Sequence, residues 1–426
     1  MSLVGNEFSH NPVVYAGEDA PGALVAYAQA EGLQHLTLIA DTNTYAALGQ
    51  RVEASLRAAR FDVTRIVVEG LDPVVADELR LVRVILAAPS RASAYVAAGS
   101  GTITDIARFA SFHSRNRFIS LPSAASMDGY ATSNNTLTLD KLKISVRGHA
   151  PEAIFCDLPA LAAAPRAMTA AGLGDILARF TSVNDLRLGH LLWGERSDTW
   201  DRDAPIADRM ERLGQTALVR GGEIAAGEPK ALAFLMAALI DSGLAMADFG
   251  NSMPGSGSEH HISHCWEMRA QMHGEPALFH GAKVGVATVM AAGWYAAIRE
   301  MTQREAADRL AATDWPDPQA QIADIRRVYG PIADELIEAQ RPFLYVTPEQ
   351  WADLKWRILD HWDEVRAIAA QVAQPAALAD VLAAAGGPGW PQELGLSGEE
   401  IEIGARYGHY TRPRFTIAKL RLLLGI

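Results

Sequence analysis

The chain has 426 residues, 49% hydrophobic and 21% charged, the mix of a globular protein able to bury a large core. Its 50 acidic and 38 basic residues leave a formal charge of −12, which argues against the broad basic face of a nucleic-acid or anionic-membrane binder. Two cysteines, Cys156 and Cys265, cannot build a disulfide framework and fit a reducing compartment.

The opening residues, Met1 to Glu7, have neither the basic start nor the apolar stretch of a signal peptide. Leu36-Thr37-Leu38-Ile39-Ala40 reads as a buried strand ending at Asp41, and 44–59 as a helix with Leu48, Val52, Leu56 and Ala59 apolar. Residues 63–68 predict a second strand, and Pro73 opens a helix running to about Leu86. Tyr95-Val96-Ala97-Ala98 predicts a short strand, 104–115 a helix, and Phe118-Ile119-Ser120-Leu121 another strand. Alternation at these lengths means βαβ units and a parallel sheet.

From about Leu161 the strand pattern stops. Ala- and Leu-rich stretches near 165–192, 206–221, 229–249, 258–271 and 283–300 predict helices, with a Gly/Pro break at 386–391. The longest apolar run, Ala231 to Ile240, ends at Asp241 and is too short to span a bilayer, so a soluble cytoplasmic protein without membrane insertion is expected. The expected architecture is an N-terminal α/β domain of nucleotide-binding type over 1–162 and an all-helical domain over 163–426. A ligand is expected in a cleft between them.

Gly99-Ser100-Gly101-Thr102-Ile103-Thr104-Asp105 joins a predicted strand to a predicted helix. Glycines there let a ligand approach the backbone, and the helix start offers free N–H groups to a pyrophosphate. The plain alternative is a tight turn that binds nothing. A Rossmann fingerprint would open the first βα unit, whereas these glycines come well after Asp41, so a dinucleotide site here is differently ordered. Ser123-Ala124-Ala125-Ser126-Met127-Asp128-Gly129 follows the next strand. Its small residues leave room for a nicotinamide or ribose, or simply make a turn.

Ser258-Glu259-His260-His261-Ile262-Ser263-His264 is the most informative stretch. With Ser258 as N-cap, His260 and His264 share a helix face and His261 points away. Two imidazoles at i, i+4 suit a transition metal, with substrate chemistry as the alternative use. A third imidazole is sought at His280, on a helix start, in preference to His273 in a loop-like context. Asp175, in Gly172-Leu173-Gly174-Asp175, offers a carboxylate at a predicted helix start. Taken alone it reads equally as a cap or as the i, i+4 partner of Arg179.

Taken in order, 99–105, 123–129, 172–175, 257–264 and 280–287 resemble the glycerol-1-phosphate dehydrogenases, bacterial branch, within the iron-containing alcohol dehydrogenase and dehydroquinate synthase-like superfamily. The resemblance implies an NAD(P)-binding α/β domain followed by a helical metal- and substrate-binding domain. It implies one divalent metal on Asp175, His260 and His280, usually zinc, with nickel in some bacterial members and iron as a further option. His264 would then face the substrate, leaving the metal an open position. Asp128 would hydrogen-bond the substrate, and Asp175 would lie at it through the metal. Asp41, Gly99, Gly101, Thr102, Ile103, Thr104, Asp105, Ser123, Ala124, Ala125, Ser126 and Thr132 would hold NAD(H) or NADP(H).

Three departures from the family pattern touch cofactor preference: Ser100 within a glycine run, Arg179 where lysine is frequent, and Thr132 where serine is usual. The implied reaction is reversible reduction of dihydroxyacetone phosphate to sn-glycerol 1-phosphate, with the proton arriving through water at the metal or through His264. Asp41 points to NADH over NADPH, because an acid accepts from a ribose 2′-OH and repels a 2′-phosphate. For the substrate phosphate the sequence offers Lys143, Arg147, Arg269 and Lys283, with Arg412 and Arg414 read as structural or interfacial. A homodimer is the family expectation. Alternatives are a polyol dehydrogenase acting on glycerol, a dehydroquinate synthase-type cyclase, and a non-catalytic descendant.

Overall fold

The structure, a computed structural model, describes residues 12–69, 74–89, 91, 93–139, 142–275 and 278–426, and the side chains of Leu142 and Lys143 are outside that set. The opening Met1–Glu7 motif and Pro73 likewise lie outside the described residues. Two compact units are present. One comprises the described residues up to Gly172 together with Glu223–Ala247, and the other Leu173–Gly222 together with Asp248–Ile426.

The first unit is built on a six-stranded sheet of β1 (Val13–Gly17), β2 (His35–Asp41), β3 (Asp62–Val68), β4 (Ala94–Gly99), β5 (Arg117–Pro122) and β8 (Ala153–Asp157). All neighbours are parallel, in the order β1-β8-β5-β4-β2-β3. Side chains alternate between two cores. Leu36, Leu38, Ala40, Val96, Ala98, Ile119 and Leu121 fill one face. Ile39, Tyr95, Ala97 and Phe118 fill the other with Ile103, Ile106 and Ala107 of helix Gly101–His113. Burial on both faces explains why these strands are near-continuous apolar runs.

β1 and β8 go beyond the sequence-based expectation, as does the antiparallel hairpin of β6 (Asn134–Leu139) and β7 (Leu142–Arg147). β8 is only five residues, all buried, and its apolar run is too short to be told from a helix segment by periodicity. The helix predicted from Pro73 starts at Glu78, where the Asp77 carboxylate accepts from the Arg80 N–H at 3.0 Å.

From β2 the chain moves outward to β3, then crosses back over β2 to β4 and continues to β5. The reversal puts the topological switch point between β2 and β4. In open parallel sheets the crevice beyond the strand C-termini at that point is where ligands bind. Those termini are Asp41 and Gly99.

Among the described residues no strand follows Asp157, and the second unit is helical. Its ladder of helices includes Arg179–Leu188, Trp200–Val219, Ser258–His273, His280–Glu300 and Ile417–Leu424. Three helical stretches are long and apolar enough to cross a bilayer by length and composition: Pro229–Phe249, His280–Glu300 and Trp362–Ala384. This corrects the reading taken from the single run ending at Asp241, which ignored how far the helix extends on either side. In the first two, 61% and 67% of the most apolar window is buried inside the structure.

Candidate functional site

In the second unit, helices Ser258–His273 and His280–Glu300 carry the histidines. Gly257, not Ser258, occupies the N-cap position, and it supplies no side chain. The cap comes from elsewhere: Asp185 accepts from the Ser258 N–H at 2.6 Å and from its hydroxyl at 2.5 Å. The same buried carboxylate accepts from Tyr295 Oη and the Ile417 N–H, each at 2.7 Å. Burial and the neighbouring Glu259 push Asp185 up to about 7.

This start fixes the direction of the imidazoles. The rings of His260 and His264 are 5.9 Å apart, those of His260 and His280 5.3 Å, and those of His264 and His280 6.0 Å. Asp175 joins them: ligand atoms of Asp175, His260 and His280 all lie within 4.8 Å of one another. Asp175 and His260 are buried, and His280 is half-buried. One carboxylate and two imidazoles at this reach suit a divalent transition ion, with positions left over for other ligands. His273, the other candidate, is exposed at the end of its helix.

Asp175 does not sit at a helix start. Its helix runs Arg166–Leu177, so the residue falls in the last turn. The i, i+4 pairing with Arg179 exists as well: Arg179 Nη2 lies 3.3 Å from Asp175 Oδ1, and both side chains are fully buried. The pairing and the approach to the histidines are therefore not exclusive. Gly174 makes that approach sterically feasible, since a Cβ there would stand 2.4 Å from the Gly281 carbonyl oxygen.

His264, Glu267 and His280 form a second set within 4.8 Å. Lys283, buried, answers Glu267 at 3.1 Å. Burial and the neighbouring His260 and His280 rings drive His264 well below its usual range, with Arg412 adding to the effect. The sequence reading took the unperturbed histidine value, whereas burial here favours the neutral ring. Arg269 is engaged by Glu400 through two bonds, at 2.7 and 2.6 Å. Arg414 donates to the Ser256 carbonyl at 2.5 Å, a structural tie. Arg412 differs: it is half-buried and its guanidinium has no hydrogen-bond or ion-pair partner among the described residues.

In the first unit, helix Gly101–His113 starts after Ser100 with no side-chain cap, so its first N–H groups stay open to a ligand. Gly99 is required, because a Cβ there would meet that of Ile103 at 2.5 Å. Thr104 Oγ1 is buried without a hydrogen-bond partner among the described residues. Asp41 caps the next helical turn, its Oδ1 accepting from the Thr44 N–H at 2.8 Å. Asp105 is held by the buried Arg108 at 3.0 Å. Arg108 also donates to the carbonyls of Gly129, Tyr130 and Asn134, clamping the 129–134 segment.

Ser123, Ala124 and Ala125 are buried after β5. Tyr130 Oη donates to the Ala124 carbonyl at 2.7 Å and lies 3.0 Å from Ser126 Oγ. The Thr132 hydroxyl donates to the Gly129 carbonyl at 3.0 Å, which leaves its oxygen as an acceptor. Asp128 Oδ2 accepts from the Ser242 hydroxyl at 2.9 Å.

Comparison with known proteins bears on both units. The pattern of the iron-containing alcohol dehydrogenase family matches residues 15–165. A glycerol-1-phosphate dehydrogenase [NAD(P)+] of Halalkalibacterium halodurans is 38% identical over 285 residues, covering 66% of this chain and 69% of that protein. The enzyme of the same name from Geobacillus stearothermophilus is 30% identical over 409 residues, covering 94% of this chain and 90% of its own.

The chain belongs to the glycerol-1-phosphate dehydrogenase family.

These dehydrogenases are oxidoreductases of the iron-containing alcohol dehydrogenase group. Solved structures agree on the fold. A 1,3-propanediol oxidoreductase matches with a TM-score of 0.60 at 14% identity, over 99% of this chain and 98% of its own. A maleylacetate reductase from a Rhizobium species gives 0.57 at 14%, over 99% and 98%. Against this family frame, the sequence reading missed Glu259, Glu267, Ser242, Arg108 and Tyr130. Glu259 and Glu267 had a signal, being one residue before His260 and three after His264. Ser242 acts over a long sequence separation and had none, and Arg108 had only its i, i+3 spacing from Asp105.

Proposed function

We propose that this chain catalyses reversible NAD(P)-dependent reduction of dihydroxyacetone phosphate to sn-glycerol 1-phosphate. The observation that carries the reading is the convergence of Asp175, His260 and His280 within 4.8 Å, in a chain of this family. These three would hold one divalent ion, zinc first, with nickel or iron as alternatives. Bound there, the ion would polarise the substrate carbonyl and stabilise charge on its oxygen as hydride arrives.

The remaining tasks fall to the chain's own groups. His264, on the same face, hydrogen-bonds the substrate and relays a solvent proton, gaining one at one ring nitrogen as it gives one up at the other. Asp128, held by Ser242, accepts from a substrate hydroxyl. Arg412, whose guanidinium is unpaired among the described residues, receives the substrate phosphate, while Arg269 and Lys283 are engaged by Glu400 and Glu267.

The dinucleotide lies at the switch point of the first unit. The open N-terminus of Gly101–His113 takes its pyrophosphate through Gly101, Thr102 and Ile103. Gly99, Thr104 and Asp105 shape that turn, while Ser123, Ala124, Ala125, Ser126 and Thr132 bound the nicotinamide side. Asp41 accepts from the adenosine ribose and favours NADH. In this reading the first unit binds NAD(P) and the second holds the metal. A cytoplasmic homodimer fits, supported by an apolar stripe on Glu78–Ala87, where Leu79, Val82, Ile85 and Leu86 are 44–79% exposed.

The test follows NADH absorbance with dihydroxyacetone phosphate, with dihydroxyacetone and with no substrate, before and after chelation, and resolves the product enantiomers. Phosphate-dependent, chelator-sensitive turnover to the 1-phosphate is expected. Equal rates on the unphosphorylated ketone, or the 3-phosphate as product, would overturn the reading.

A further inference from the structure

A neutral histidine that serves a metal through one ring nitrogen carries its proton on the other. In His260 the two nitrogens face different partners. Nε2 lies 3.6 Å from Asp175 Oδ1, on the side of the donor set. Nδ1 lies 2.8 Å from Glu259 Oε1. Glu259 is the preceding residue, and neighbours on a helix ordinarily diverge. Here the carboxylate curls back over the first turn, because it also takes the Gly257 N–H on Oε1 at 2.7 Å.

Its other oxygen is fixed too, with Thr181 Oγ1 donating to Oε2 at 2.6 Å. The side chain is fully buried, so it stays put only because each oxygen has a donor. Gly257 makes the fold-back feasible: a Cβ there would stand 3.0 Å from Glu259 Oε2 and 2.5 Å from Asp185 Oδ2. An acceptor clamped in this way dictates that Nδ1 of His260 carries the hydrogen and that Nε2 presents its lone pair.

We propose that Glu259 is a positioning residue, fixing His260 in the tautomer whose Nε2 is the donor and raising the basicity of that nitrogen toward the ion. The proposal rests on the reading of His260 as a metal ligand. The competing role is a simple helix cap, since Glu259 also satisfies the Gly257 N–H. A cap would affect the stability of the metal-free protein and leave ion affinity alone.

The experiment titrates metal-free protein with zinc against a chromophoric chelator, and with cobalt by its visible spectrum, for the parent, Glu259→Gln, Glu259→Ala and His260→Ala. Glu259→Ala is expected to weaken zinc binding about 10- to 100-fold and to shift the cobalt bands. Glu259→Gln keeps the shape without the charge and is expected to fall between it and the parent, with a metal-free unfolding midpoint close to that of the parent. If Glu259→Ala does not fold, Glu259→Gln carries the test alone. Parent-like zinc affinity and cobalt spectrum in the folded Glu259 variants would overturn the positioning role. Undiminished binding by His260→Ala would instead overturn the ligand reading beneath it.

Discussion

Gly174 and Gly281 face each other so closely that a Cβ on the first would stand 2.4 Å from the carbonyl oxygen of the second. The residues that follow Gly174 and precede Gly281 are Asp175 and His280, two members of the donor set. Gly174→Ala therefore forces apart the backbones that bring these side chains together. It is expected to cost about 1–3 kcal/mol in urea unfolding and to leave purified protein with sub-stoichiometric metal by elemental analysis. Full metal content at unchanged stability would mean that the two helices can yield.

Arg412→Ala tests the phosphate assignment. Loss of one charged hydrogen-bond donor to phosphate is expected to raise KM for dihydroxyacetone phosphate about 10-fold or more, since such bonds contribute about 1.5–3 kcal/mol. The KM for unphosphorylated dihydroxyacetone should not move. A parallel rise for both ketones would assign Arg412 to the shape of the site and not to phosphate.

Asp41→Asn separates charge from capping. Asparagine still accepts from the Thr44 N–H, so stability should hold. The ratio of kcat/KM for NADH over NADPH is expected to fall several-fold once the carboxylate charge is gone. An unchanged ratio would remove Asp41 from the ribose.

Lys419 tests the electrostatics of the helical unit. Its ammonium is buried over the Phe343 ring, beside Gln340 and the His409 carbonyl, and burial pushes it down from 10.5 to about 7 against the attraction of Glu195. With the folded value below the unfolded one, the unfolded chain holds more protons between about pH 7 and 10.5. The group's contribution is then full above that window and is lost as pH falls through it, with a slope of at most about 1.4 kcal/mol per pH unit. Lys419→Met should remove this slope, gaining more over the parent at pH 7 than at pH 10 in urea unfolding. Parallel stability curves would show that Lys419 stays charged in the folded state.

The sheet was legible where strands are long and doubly buried, as in β2 and β4. It was not where β8 offers five residues or where β6 and β7 pair across a hairpin. The histidines were legible because His260 and His264 repeat at helical spacing. Asp175 was misplaced along its helix, since glycines at 172 and 174 look like a helix start. In fact Gly174 serves a close crossing in the middle of packed structure. Asp185, which caps the histidine helix from 73 residues away, leaves no local trace at all.

Asp175, His260 and His280 all belong to one compact unit, whereas Asp41 and Gly99 belong to the other. Damage to either half should thus be separable at the bench: a chain stripped of its cation can still be assayed for dinucleotide uptake, and one blind to dinucleotide can still be assayed for its cation. On the proposed assignment of the two sites, inherited variation could retune coenzyme choice without touching Asp175, His260 or His280.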